Sequence, residues 1–163
     1  MGPRCPQERP QDQIAFVNHL IDTNLLIYAI QKQPGTVFQN FLFQLASRGL
    51  SFISVISRFE LLAGSTEIHR GKNVAFLNSF PCLNITASIA DRAGFLFFEY
   101  RKKGVTFDNE DVLLSATALE EGLALVTTNG KHFPSFRPLE KHHLSFQTRK
   151  GGFETKEVFI LTH

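Results

Sequence analysis

Tryptophan is absent from this 163-residue chain, methionine occurs once and cysteine twice. The two cysteines, Cys5 and Cys82, stand far apart and without metal-ligand spacing. That excludes a disulfide scaffold and a thiolate metal site, and leaves free thiols in a reducing interior as the expectation. No secretory signal is read ahead of them, so a cytoplasmic location is expected. No apolar run nears the roughly 18 residues of a membrane-spanning helix, and no membrane association is expected. Charge is sparse and nearly balanced, 17 Lys and Arg against 15 Asp and Glu. A net charge of +2 is compatible with a polyanionic partner but too weak to imply one. What the chain has in quantity is phenylalanine, 17 residues beside two tyrosines, within a hydrophobic fraction of 43%. This composition and length fit one domain whose core is packed with Phe and aliphatic side chains.

The pattern along the chain alternates strands and helices. Residues 1–13, "MGPRCPQERPQDQ", are rich in Pro and Gln with no apolar period and are expected to be a loose arm. Residues 14–146 are expected to form the domain. Residues 147–163 form an extension without an assigned role, either one further strand or a disordered tail. Within the domain, a strand ends at Asp22 and feeds a helix over "TNLLIYAIQ"; "TVFQNFLFQLASRG" reads as an amphipathic helix. The β-rich run "LSFISVIS" precedes helical spacing over "RFELLAGSTEIHRGKNVAFLNSF". "CLNIT" is strand-like, and "ASIADRAGFLFFEYRKKG" is a helix closed by basic residues and Gly104. A helix capped by Asp108 over "FDNEDVLLSATALEEG", a buried strand "LALVTT" and a turn-rich "NGKHFPSF" follow. Such alternation indicates an α/β layer fold with a largely parallel sheet.

Ligands of open α/β sheets bind outside the carboxyl ends of the strands. The polar residues at those ends are Asp22 after the first strand, Glu60 after "SFISVIS", Asp111 in the first turn after "TFDN", and Thr127, Thr128 and Asn129 closing "LALV". Asp22 is the least expected of these, because it interrupts two apolar runs in "HLIDTNLLIYAI". An acid in a first helical turn also serves as a cap, which is the ordinary role for Asp108. Three acids at one edge of a sheet are different, since like charges raise one another's pKa and independent caps have no reason to converge. A hard cation such as Mg²⁺ relieves that repulsion and binds through a few carboxylates, waters and substrate phosphates. An ion so held activates water and stabilises charge on a phosphoryl oxygen, as phosphodiester hydrolysis requires.

The ordered segments "LIDTNLLIYAI", "ISVISRFELLAG" and "DVLLSATALEEGLALVTTNGKHF" resemble a PIN domain, and among PIN domains the VapC-type toxin ribonucleases of toxin–antitoxin pairs. The resemblance runs from about Asn18 to Leu139. It implies a three-layer α/β/α sandwich with a central, largely parallel sheet. It also implies a metal-dependent endoribonuclease that cuts structured RNA such as tRNA or rRNA and is silenced by a cognate antitoxin. By the same resemblance Asp22, Glu60 and Asp111 hold Mg²⁺ or Mn²⁺, Asn24, Thr127 and Asn129 support them, and two toxin subunits pair as a homodimer. Asn129 and His132 stand where relatives of this kind carry a further acid. Candidate RNA contacts are Arg58, Lys131 and His132, with basic residues at Arg101–Lys103, Arg137, Lys141, His142, His143, Arg149 and Lys150. Leu25, Leu26, Tyr28, Phe38 and Phe41 are assigned to the core, with a partner surface as the alternative. Two other readings of the chain are a catalytically weak PIN-like module that binds RNA or protein, and a receiver-type signalling domain. The latter lacks support, because "SFISVIS" is followed by Arg58 and Glu60 rather than by a phosphorylatable Asp.

Overall fold

The computed structural model describes residues 17–31 and 35–163. The expected arm, residues 1–13, lies outside them. Six strands make one sheet in the order β3-β2-β1-β4-β6-β5. β1 (His19–Ile21), β2 (Ser51–Ser54), β3 (Cys82–Leu83) and β4 (Ala124–Thr127) are mutually parallel, with Leu20 in register with Phe52 on one side and Leu125 on the other. The helices between them are α1 (Thr23–Ile30), α2 (Gly35–Ala46), α3 (Val55–Ala63), α4 (Glu67–Leu77), α5 (Ala87–Lys102) and α6 (Asn109–Glu120).

Alternation along the short strands explains the layers. In β1 and β4 successive side chains point to opposite faces. Ile21 and Val126 join a core with Leu25, Leu26, Phe38, Phe41 and Leu45 of α1 and α2, whereas Leu20 and Leu125 pack with Leu114 and Ala118 of α6. Both faces of the sheet are therefore covered, which is why its strands are apolar throughout and the fold is a three-layer α/β/α sandwich. α5 packs on α6 through Ile89, Ala93 and Tyr100 against Val112 and Ala116. Of the residues weighed between core and partner surface, Leu25, Leu26, Phe38 and Phe41 are buried. Tyr28 is half-buried and stacks on Phe38.

Local sequence decides where elements end. The β-rich run stops at Ser54, whose hydroxyl accepts a hydrogen bond from the Ile56 amide and starts α3 at Val55. The helical spacing beyond it is two helices, broken between the C-cap Gly64 and the N-cap Thr66. Gly104 closes α5 with φ +71°, a conformation only glycine adopts without strain.

The largest departure from the sequence reading is the carboxyl-terminal region. β5 (Arg137–Gln147) and β6 (Phe153–Thr162) form a long antiparallel hairpin, and β6 inserts between β4 and β5. The segment left open between strand and tail is thus a strand inside the sheet, with Val158, Ile160 and Leu161 buried. Residue 147 marks the start of a tight hairpin turn, with Gly151 at φ +84°. The basic stretch from Arg137 is expected to offer RNA contacts. It is an edge strand whose charges engage one another: Arg48 pairs with Glu140, His142 bonds Glu140 and Lys141 pairs with Glu157. Cys82 is a free, exposed thiol. Among the described residues no helix is long and apolar enough to cross a membrane.

Candidate active site

Because β1, β2 and β4 are parallel, their carboxyl ends open on the same edge: β1 leads into Asp22, β2 into α3, β4 ends in Thr127, and α6, which leads into β4, supplies Asp111. Asp22 follows β1 directly and caps α1, its amide held by the Val126 carbonyl at 2.9 Å. Glu60 lies one turn into α3, and Asp111 lies in the first turn of α6. All three line one cavity of about 250 Å³, with Thr23, Asn24, Ile27, Ile56, Ser57, Glu110 and Leu114 completing its wall.

Each of the three acids is oriented by a neighbour from a different element. The buried Thr127 hydroxyl donates to Asp22 Oδ2 at 2.7 Å, and in turn accepts from the Asn129 amide at 2.9 Å. The Thr23 hydroxyl donates to Glu60 Oε2. His132 Nδ1 meets Asp111 Oδ2 at 2.8 Å. Burial is the main cause that pushes all three carboxyls above their ordinary values, and mutual repulsion adds to it. Asp111 acts on Asp22, Asp22 on Glu60 and Glu60 on Asp111, while the Thr127, Thr23 and His132 contacts act the other way. The cavity therefore gathers three carboxyl groups whose ionised forms are disfavoured by burial and by one another.

Ser57 adds a further signal. The residue lines the cavity, and its hydroxyl is fully buried with no hydrogen-bond partner. An unpaired buried hydroxyl beside three carboxylates fits a hard cation with waters or a phosphate oxygen, which would complete both deficits. Among the described residues no three Asp, Glu, His or Cys side chains close into a cluster tight enough to hold a metal by themselves.

Other expected site residues fall in different places. Asn24 lines the cavity and Thr127 supports it from beneath. Asn129 and Lys131 line a separate depression on the far side of the loop after β4. His132 holds Asp111 rather than standing free for substrate. Arg58 does not line the acidic cavity; it donates to Asn78 Oδ1 at 3.0 Å, at the end of α4. Residues two apart on a helix point about 200° apart, so Arg58 and Glu60 face different ways. The same geometry identifies what sequence reading missed. Ser57 is three residues before Glu60 and shares its face, and Glu110 adjoins Asp111 at the cavity mouth.

An α/β/α sandwich with a carboxylate-lined cavity at the carboxyl edge of its parallel strands defines a class of domains that carry their chemistry on strand ends. Within that class the chain belongs to the PIN domain family, which matches residues 19–137. It is 34% identical to ribonuclease VapC19 of Mycobacterium tuberculosis over 122 residues, 74% of this chain and 96% of that one. It is 32% identical to ribonuclease VapC2 of Rickettsia felis over 120 residues, 71% of this chain and 89% of the other. Among solved structures, VapBC2 from Rickettsia felis bound to a promoter DNA fragment superposes with a TM-score of 0.63. It is 30% identical, with 73% of this chain and 92% of that one covered.

Proposed function

We propose that this chain is a Mg²⁺- or Mn²⁺-dependent endoribonuclease that cleaves structured RNA of the tRNA or rRNA class, and that it is the toxin of a toxin–antitoxin pair. The observation that carries the reading is the convergence of Asp22, Glu60 and Asp111, from three separate elements, on one cavity at the carboxyl edge of the sheet. The names of the relatives support the same reaction class, and the two-component complex among the structural neighbours supports an antitoxin partner.

The ion, when bound, would lower the pKa of a water and stabilise charge on a phosphoryl oxygen. Asp22 and Asp111, oriented by Thr127 and His132, would hold it. Glu60, oriented by Thr23 and less buried, stands at the third side of the cavity and would position a water or a proton. Ile27, Ile56 and Leu114 form apolar walls that strengthen each of these electrostatic contacts by excluding solvent. For the antitoxin and for a second toxin subunit, Phe59 on α3, Ile68 on α4 and Phe95 and Phe98 on α5 leave large apolar side chains exposed.

The test is cleavage of tRNA and rRNA with Mg²⁺, with Mn²⁺ and with chelator. Metal-dependent cuts that disappear in Asp22→Asn, Glu60→Gln and Asp111→Asn are the expected result. RNA bound but left intact under all conditions would favour a PIN-like binding module instead.

A further inference from the structure

The loop between Thr127 and His132 separates the acidic cavity from a second, larger depression of about 430 Å³. One wall is the loop itself, with Asn129, Gly130 and Lys131; the floor is aromatic and aliphatic, with Phe136 and Phe159. Phe159 is the β6 residue in register with Thr127. Its ring is therefore one strand away from the hydroxyl that holds Asp22. Gly130 lies against this ring: a Cβ there would stand 3.4 Å from Phe159 Cγ, so a larger residue would begin to fill the space. Glu157 is the one carboxylate lining this depression, and Lys141 neutralises it at 2.6 Å. β6 lies beyond residues 19–137, so this depression joins a loop of the family fold to a strand that this chain adds.

We propose that this depression is a nucleobase subsite. It takes one base of the RNA strand flanking the scissile phosphate, stacked on Phe159, while Lys131 contacts the adjoining phosphate. The inference rests on the ribonuclease reading above and adds a substrate contact to it. Every base has a π-face, so an aromatic floor with a cation at its rim grips single-stranded RNA with little sequence demand. The ring is covered at present by Lys141, whose Nζ lies 5.4 Å from the centroid. An exposed cation–π contact of this sort is weaker than base stacking, so the lysine gives way to a base. A strand crossing the loop from the acids reaches this floor, and a base held there anchors the substrate equally in the ground and transition states.

The experiment uses the full-length protein carrying Asp22→Asn, which keeps RNA intact, and RNAs with a single 2-aminopurine scanned across the site the parent cleaves. A fluorescence change at one flanking position is expected, lost in the added variant Phe159→Leu and retained in Phe159→Tyr. In cleaving protein, Phe159→Leu should raise KM about tenfold with kcat within about twofold. Lys131→Ala, at the rim, should raise KM about threefold and flatten the salt dependence by about one phosphate contact. Free adenosine monophosphate, as a base without a strand, should protect the same ring only at millimolar concentration. Parental KM in a Phe159→Leu protein with an unaltered melting curve, or no responsive position in the scan, would overturn the subsite while leaving the nuclease reading intact. No cleavage by the parent would overturn both.

Discussion

Replacing Asp22 by Asn should make the metal-free protein more stable while removing its activity. Asp22 is 4% exposed, and burial and the charge of Asp111 both disfavour its ionised form. Like charges ~6–8 Å apart, the scale set by a cavity of about 250 Å³, repel by ~2–3 kcal/mol at an effective dielectric of ~20. Asn keeps an oxygen for the Thr127 hydroxyl, but hydrogen bonds to a neutral acceptor are weaker than to a carboxylate, a loss of ~1 kcal/mol. The balance is a stabilisation of ~1–2 kcal/mol, or about 2–8 °C in melting temperature for a domain of this size. The sign can be checked by pH. A carboxyl raised in the folded state contributes its stability when protonated and loses it as pH rises through the raised value. The advantage of the variant should therefore grow as pH rises above the ordinary value of 3.8 and vanish below it, where both states are protonated. Added Mn²⁺ should stabilise the parent by mass action and the variant much less. The assay is thermal melting in chelator and in Mn²⁺ at pH 7.5 and pH 3.5. An Asp22→Asn protein that melts at or below the parental temperature in chelator at pH 7.5 would refute the reasoning.

A second prediction concerns His19, which is buried in β1 with Nδ1 unpaired. Burial, and then the charge of Arg48, lower its pKa from 6.5 to about 4, with Glu140 acting the other way. The folded state favours the neutral ring, so this stability is full above pH 6.5 and is lost as pH falls through about 4, a loss of order ~3 kcal/mol. Denaturant melts of the parent and of His19→Leu across pH 7 to 4 should diverge by that slope; parallel curves would count against it. A third concerns Asn129, whose side chain lines the second depression and not the acidic one. Asn129→Asp should leave the Mn²⁺ concentration for half-maximal cleavage unchanged, whereas a carboxylate that reached the ion would lower it.

The acids were legible because chemistry and folding disagreed at their positions. Asp22 breaks two apolar runs where a core residue was expected, and strand-end placement alone predicts its convergence with Glu60 and Asp111. The helical layers were legible for the same reason in reverse, since apolar spacing and covered faces agree. The hairpin was not. In β5 only Leu139, Leu144 and Phe146 are strongly apolar, and the charged positions between them hide a strand whose pairing is stabilised by its partner β6 and by Arg48. The second depression was invisible because its walls lie some thirty residues apart in sequence and meet only through the β4/β6 register.

The central claim is that Asp22, Glu60 and Asp111 act as one hydrolytic unit. It is tested most directly by single-turnover cleavage of RNA in Mn²⁺ by the parent, by Asp22→Asn, by Asp111→Asn and by the protein carrying both changes. Residues that serve one unit are non-additive, so each single variant should lose at least ~10²-fold and the double should be no slower than the slower single. Losses that multiply in the double variant, or a single variant that cuts at the parental rate, would contradict the account.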